Sequence, residues 1–166
     1  LAAADYRFEG EAPGDMAGRV TGLGDVDGDG RGDFLVASDM HGGTGRAYLY
    51  PSTLLGAPGS YSLAEAPYRF NGEAEEDLAG HSAAAAGALD GDGLDDLLIG
   101  ATGNPGLPFY AGKSYLFFGS TVAGGGSFSL SNADASFLGE SFMDESGTSV
   151  SSAGDVDGDG LADLLI

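Results

Sequence analysis

The chain has 166 residues, 42% of them apolar, a formal net charge of −20 and no cysteine. This composition is enough for one packed core and excludes disulfide bonds. An acidic surface also argues against binding to nucleic acid, whose phosphates require basic side chains. The sequence contains no run of about 18 apolar residues, so no membrane-spanning helix is expected.

Short apolar segments separated by turn residues predict an all-β protein built from repeated units of four strands. An opening strand at 6–8 is expected to be the fourth strand of a preceding unit. The strands of the first unit are predicted at 18–24, 33–38, 45–50 and 67–70. Those of the second unit are predicted at 81–88, 95–101, 113–118 and 135–138. The third unit shows only its first two strands, near 148–153 and 162–166.

A Phe-x-Gly-Glu motif precedes each unit and begins at Phe8, Phe70 and Phe137. These starting positions are 62 and then 67 residues apart, a period typical of propellers, solenoids and repeat arrays. Four antiparallel strands per repeat is the composition of a β-propeller blade. We therefore treat residues 1–166 as one propeller segment. Its predicted repeats are 8–69, 70–136 and a partial repeat at 137–166.

An acidic loop lies between the first and second predicted strands of each unit. In the first loop, carboxylates occupy positions 1, 3, 5 and 9 of the segment 25–33, and glycines occupy positions 4 and 6. Calcium takes about six to eight oxygen ligands at roughly 2.3–2.6 Å, and alternate residues of a tight loop can direct their oxygens toward one ion. The glycines permit the sharp turn at low steric cost. The spacing therefore predicts a Ca²⁺ site.

The second and third loops repeat this pattern at 88–96 and 155–163. The second begins with Ala88, so we expect it to bind calcium more weakly, with water in place of the missing carboxylate. Asp95 is expected to face away from its own loop. In every loop, the carbonyl of position 7 is expected to add a main-chain ligand. The predicted ligands are Asp25, Asp27, Asp29, Arg31, Asp33, Asp90, Asp92, Leu94, Asp96, Asp155, Asp157, Asp159, Leu161 and Asp163.

Other interpretations of the loops are weaker. An EF-hand requires a bidentate Glu at position 12 and flanking helices. Position 12 is instead Val36, Ile99 or Ile166, each in an apolar run typical of a buried strand. A dockerin-like loop fails for the same reason. Acidic turns without metal are the remaining alternative, because Asp-Gly pairs are ordinary turn formers, but three loops with matching spacing favour metal binding.

These motifs resemble the FG-GAP repeats of the integrin α-subunit head and of bacterial relatives. The resemblance depends on the three Phe-x-Gly motifs, on the three acidic loops, and on the segments 36–38 and 99–101 that follow the first two loops. It covers nearly the whole chain, and Ala88 departs from the pattern. It implies a calcium-stabilised β-propeller, usually of about seven blades, used outside cells for adhesion or ligand binding.

The number of repeats is smaller than a closed propeller requires. Rings close with roughly four to eight blades, and this sequence supplies about two and a half. An open blade edge exposes unpaired N–H and C=O groups, which favours aggregation. The segment is therefore expected to be part of a longer chain, or to be completed by other chains in a homo-oligomer.

The sequence predicts a non-enzymatic, extracellular or cell-surface module for adhesion or for recognition of a protein or carbohydrate ligand, with calcium in a structural role. Such loops are expected to need the high calcium concentration found outside cells. Two alternatives stay open: a subunit of a self-assembling surface fibre, and a non-catalytic accessory propeller of a secreted hydrolase or lyase. No catalytic residues are predicted, and His41 and His81 are assigned structural or surface roles.

Three further expectations concern single segments. The tripeptide Arg31-Gly-Asp33 matches an integrin-binding sequence, but Asp33 is expected to be occupied by metal. The acids that follow the Phe-x-Gly motifs, including those of 73–77 and 144–145, are expected to be solvated. The loops Gly56–Glu65 and Gly103–Ala111 are both expected on the propeller face that usually binds partners.

Overall fold

The computed structural model describes residues 4–104 and 110–166. These residues form short β-strands, one helical turn, α1 (Gly119–Val122), and brief 3₁₀ turns. The first strands are β1 (Tyr6–Glu9), β2 (Arg19–Gly22), β3 (Phe34–Ser38), β4 (Arg46–Tyr50), β5 (Gly59–Ser62) and β6 (Tyr68–Asn71). The later strands are β7 (Ala79–Gly87), β8 (Asp96–Ala101), β9 (Lys113–Phe117), β10 (Gly126–Ser129), β11 (Ala135–Leu138), β12 (Ser151–Gly154) and β13 (Asp163–Leu165).

The strands assemble into propeller blades. The first blade has the order β2-β3-β4-β6, with every neighbouring pair antiparallel. The second blade repeats this order as β7-β8-β9-β11, and β12 and β13 pair as the beginning of a third. The prediction of an all-β, incomplete propeller with four-stranded blades is therefore confirmed.

The central strands of the first two blades are buried on both faces, which explains their apolar runs. In β3, Leu35 and Ala37 belong to the core between the first and second blades, whereas Val36 faces a separate core on the other side. Strand β8 is buried along its whole length, with Leu98 directed toward the third blade. Successive side chains of a strand point to opposite faces, so these two sheets each contribute to a core on both sides.

The phenylalanines of the first two Phe-x-Gly motifs each belong to one blade and pack against the next. Phe70, on β6, is fully buried, and its ring lies 5.1 Å from Phe117 and 5.2 Å from Phe128 between centroids. Phe8, on β1, makes the matching contacts with Tyr50 of β4 and Tyr61 of β5. These aromatic contacts between blades contribute to the packing of the propeller.

Two short parallel strands that the sequence analysis did not predict also link the blades. Strand β10 pairs in parallel with β6, and β5 pairs in parallel with β1 in the equivalent register. The matching pairs place β1 where the fourth strand of a preceding blade would lie. A repeated pattern could have revealed both strands, because Gly59-Ser-Tyr-Ser-Leu63 returns as Gly126-Ser-Phe-Ser-Leu130.

The expectation that Gly56–Glu65 and Gly103–Ala111 share a face is wrong. Antiparallel strands alternate in direction, so the β4–β6 connection lies at the same end of the blade as the acidic loop. Thr53 in this connection indeed donates a 2.7 Å hydrogen bond to Asp29. The β8–β9 connection lies at the opposite end. Most of the predicted loop Gly103–Ala111, residues 105–109, falls outside the described residues.

Candidate metal loops

The acidic loops connect the first two strands of each blade. We call them loop 1 (25–33), loop 2 (88–96) and loop 3 (155–163). In loop 1, the N–H groups of Gly30 and Arg31 donate to Asp25 Oδ2 at 2.8 Å and to Asp29 Oδ1 at 2.9 Å. Gly28 and Gly30 have φ values of 78° and 83°, which residues with side chains rarely adopt. The glycines therefore allow the turn that brings the carboxylates together.

Loop 3 has the same construction, and loop 2 has part of it. Gly160 N–H donates to Asp155 Oδ2 at 3.0 Å, which matches the bond from Gly30 to Asp25. In loop 2, Asp92 N–H donates to Asp90 Oδ1 at 3.0 Å. Ala88 has no carboxylate with which to repeat the bond made by Asp25. Identical spacing in sequence has thus produced closely similar loop geometry.

Two of the three loops gather a carboxylate triad. Oxygens of the carboxylates at positions 1, 3 and 5 all lie within 4.8 Å of one another in loops 1 and 3. Among the residues that the structure describes, loop 2 forms no such triad. The triads consist of Asp25, Asp27 and Asp29, and of Asp155, Asp157 and Asp159. Loop 2 has Ala88 at position 1, which accounts for the missing triad, and the weaker binding of this loop stays a prediction.

One oxygen in loop 1 favours a bound cation. Asp25 Oδ1 is buried and has no hydrogen-bond partner among the described residues, although Oδ2 accepts the Gly30 N–H. A buried polar atom without a partner is costly, and more so when it carries charge. A hard cation held by several carboxylate oxygens would satisfy it. The residues of loop 1 therefore fit calcium.

The carboxylate at position 9 closes each loop by a hydrogen bond to the main chain of position 2. Asp33 Oδ2 accepts from Val26 N–H at 3.1 Å, and Asp96 and Asp163 accept from the equivalent N–H groups at 2.7 Å. Burial raises the pKa of Asp33 and of Asp96. Each oxygen retains a lone pair for a cation, so the assignment of these residues as calcium ligands stays a prediction, as does that of the carbonyls of Arg31, Leu94 and Leu161.

The position 9 carboxylates of loops 1 and 2 also hold neighbouring segments. Asp33 Oδ1 accepts the Ser52 N–H at 3.2 Å, and Asp96 Oδ1 accepts the Gly119 N–H, in the first residue of α1, at 2.9 Å. Asp33 is only 4% exposed. The tripeptide at 31–33 is therefore unable to present its carboxylate to an integrin.

The opposite end of the blades carries a second set of acids tied to the next blade. The motif glutamate Glu73, which follows β6, accepts from Lys113 Nζ of β9 at 2.6 Å. Glu11, which follows β1, accepts from Arg46 Nη1 at 2.6 Å and from Tyr48 at 2.8 Å, both on β4. The glutamates of the first two Phe-x-Gly-Glu motifs thus connect the fourth strand of one blade to the third strand of the next.

The expectation that all acids of 73–77 are solvated is wrong for Asp77. Asp77 is fully buried and accepts hydrogen bonds from the N–H groups of Glu73 and Ala74 and from Asn104 Nδ2. Asp15 occupies the equivalent corner and accepts from Ala12 N–H at 2.8 Å and from His41 at 2.9 Å. The repeated spacing of four residues between Glu and Asp could have revealed these corners.

Replacing Asp77 by asparagine is expected to make stability less dependent on pH. Burial raises the pKa of Asp77, so its contribution to stability is present below the unfolded pKa of about 3.9 and is lost as pH rises through the folded pKa. The free energy of unfolding of Asp77→Asn, relative to the parent protein, should therefore increase between about pH 4 and pH 7. Urea denaturation at several pH values measures this difference.

Asp15→Asn is the matched control and should show the opposite sign. Burial opposes the shift, but the hydrogen bond from His41 lowers the pKa of Asp15. Its contribution is therefore present above the unfolded pKa and is lost as pH falls through the lowered value. The two variants would contradict this account if their stabilities, relative to the parent protein, changed with pH in the same direction.

Comparison with protein families gives a match to a repeat family. The model of the FG-GAP repeat matches residues 17–50, which contain β2, loop 1, β3 and β4. Residues 17–50 are thus similar to an FG-GAP repeat. The second blade has the same strand order as the blade that contains this FG-GAP repeat. The predicted resemblance is therefore confirmed. No curated protein sequence matches the chain.

The described residues contain no helix that is long and apolar enough to cross a membrane.

Proposed function

We propose that the protein is a calcium-binding β-propeller module that acts outside cells in adhesion or ligand recognition, and that calcium is structural. The observation that carries the proposal is the carboxylate triad of loop 1, in which Asp25 Oδ1 is buried without a hydrogen-bond partner among the described residues. The FG-GAP repeat at 17–50 supports the propeller role. The protein or carbohydrate ligand is recognised by binding, without chemical change.

A structural role for the ion follows from where the loops lie. The position 9 carboxylates connect loops 1 and 2 to the Ser52 segment and to α1. An ion in either loop would fix the hairpin and these attached segments together. It would also offset repulsion among clustered carboxylates in a chain with a net charge of −20. Folding and calcium binding are therefore coupled.

A non-enzymatic role is consistent with the partners of the two histidines. His41 contacts Asp15 in a corner between β1 and β2, whereas His81 Nδ1 lies 3.5 Å from Asp39 and 3.4 Å from Arg19. Each histidine thus has its own carboxylate, and each carboxylate holds a turn or a strand end. We propose that both residues stabilise blade contacts.

Calcium titration by calorimetry tests the proposal. The chain, stripped with EDTA, is expected to bind two ions tightly in loops 1 and 3 and a third ion more weakly in loop 2. Replacing Ala88 by aspartate should restore the missing position 1 carboxylate and tighten the weak site by roughly tenfold or more, since affinity rises with the number of charged ligands. Asp25→Asn should selectively weaken one tight site. Absence of binding at millimolar calcium would contradict the proposed function.

A further inference from the structure

Asp95 joins loop 2 to loop 1 across the interface between the first two blades. Its Oδ2 accepts the N–H of Asp25 at 2.8 Å, and its own N–H donates to the carbonyl of Asp25 at 2.9 Å. Asp95 is position 8 of loop 2, and Asp25 is position 1 of loop 1. The main chain of Asp25 is therefore held on both sides by one residue of the next blade.

The contact requires a glycine in front of Asp25. A methyl group at Gly24 would overlap the carboxylate of Asp95. Gly24 has an ordinary backbone conformation, since it is not among the glycines with positive φ. Close approach of the Asp95 side chain, and not an unusual backbone conformation, is therefore what requires glycine at this position.

At the interface between loops 2 and 3, the glycine in the equivalent position is Gly87, which has a φ of 79°, unlike Gly24. There, a methyl group at Gly87 would lie 2.7 Å from Cβ of Ala162, and Ala162 is position 8 of loop 3. Alanine has no side-chain acceptor for the N–H of Ala88. Position 8 is thus aspartate where position 1 of the preceding loop is aspartate. It is alanine where position 1 of the preceding loop is alanine.

We propose that Asp95 is a positioning residue that orients Asp25 for calcium in loop 1. The inference depends on the proposed calcium-binding function. Asp25 carries the buried oxygen without a hydrogen-bond partner among the described residues, so the orientation of its carboxylate decides whether that oxygen reaches the ion. Fixing both main-chain groups of Asp25 restricts this orientation before calcium binds. Asp95 also lies between Leu94 and Asp96, two predicted ligands of loop 2. A fixed conformation of loop 2 would therefore also hold Asp95 in place against Asp25 of loop 1.

The test compares Asp95→Ala with Asp95→Asn. Both are made in a background in which Asp155→Ala and Asp157→Ala remove the site in loop 3. Asparagine keeps an oxygen that accepts the Asp25 N–H, whereas alanine removes it. Loss of a residue that orients a metal ligand typically weakens binding by roughly 10–100-fold. Calorimetry should therefore show calcium affinity for loop 1 at least about tenfold weaker in the alanine variant and within about threefold of the background in the asparagine variant.

Glu75→Ala is the matched control for charge, because it removes one negative charge from an exposed position at the other end of the blade. It should leave the affinity of loop 1 nearly unchanged. Two results would overturn the inference. One is an alanine variant that binds as tightly as its background. The other is an asparagine variant that binds as weakly as the alanine variant, which would assign the effect to charge.

Amide hydrogen exchange of Asp25, followed by NMR in calcium-free buffer, separates this inference from the proposed function. The Asp25 N–H should exchange at least about tenfold faster in Asp95→Ala than in Asp95→Asn, because the hydrogen bond to Asp95 protects it. If the parent protein bound no calcium, the proposed function would fail, and the exchange rates would still show whether Asp95 holds Asp25. Equal exchange rates in the two variants would overturn the positioning role.

Discussion

Replacement of Phe70 by alanine is expected to lower the free energy of unfolding by about 3–5 kcal/mol. Phe70 is fully buried between the first two blades, where its ring contacts Phe117 and Phe128. Truncation removes the buried ring and leaves a cavity that the surrounding strands fill only in part. For a domain of this size, the loss corresponds to a decrease in melting temperature of roughly 6–20 °C. Thermal denaturation in calcium-containing buffer measures it.

Phe137→Ala provides a control at the same motif position. Phe137 begins the third Phe-x-Gly-Glu motif but is 40% exposed in this structure. Its truncation should cost about 1 kcal/mol or less, because much less apolar surface leaves water at this position on folding. Equal losses of stability in the two variants would show that packing between the blades is not what the motif phenylalanine contributes.

Withdrawal of calcium is expected to produce a loss of stability of similar size. Each ion that binds only the folded chain adds about 2.7 kcal/mol when free calcium is 100 times the dissociation constant. Occupied loops 1 and 3 together would therefore contribute roughly 5 kcal/mol. Relief of repulsion among the clustered carboxylates is part of this binding free energy. EDTA should lower the melting temperature strongly, and excess calcium should restore it.

A double variant, Asp25→Asn with Asp155→Asn, tests whether this effect arises in the loops. It removes one carboxylate from each triad and should reduce the response to EDTA to a small fraction of that of the parent protein. Restoration by calcium, but not by an equal concentration of sodium chloride, separates specific binding from screening of the net charge. A melting temperature that does not change with EDTA would contradict the structural role of calcium.

The acidic loops and the central strands could be predicted from the sequence because local spacing determines them. Alternating carboxylates and glycines within nine residues specify a tight turn with its oxygens directed inward. The structure gathers these oxygens in loops 1 and 3. Apolar runs such as those of β3 and β8 specify strands buried on both faces. Repetition of the same pattern predicted blades of four antiparallel strands.

Contacts between blades could not be predicted in this way, because they join residues far apart in sequence. The parallel pairing of β10 with β6 depends on how the second blade packs on the first. The burial of Asp77 against Asn104 depends on how the segment after β6 packs on the loop that follows β8. From the local sequence alone, Asp77 is one of several acids and Asp95 is a neighbour of a predicted loop ligand, so the contacts of neither residue could be predicted.

The sequence by itself therefore determined the blade and its acidic loops, since the turns and strands are encoded within about ten residues of one another. The tertiary structure alone decided which side chains each blade directs at its neighbour. Phe70, Glu73 and Asp95 each contact residues of an adjacent blade. The direction of a side chain becomes defined only when the partner surface is in place, because a hydrogen bond or an aromatic contact requires its partner within a few ångströms.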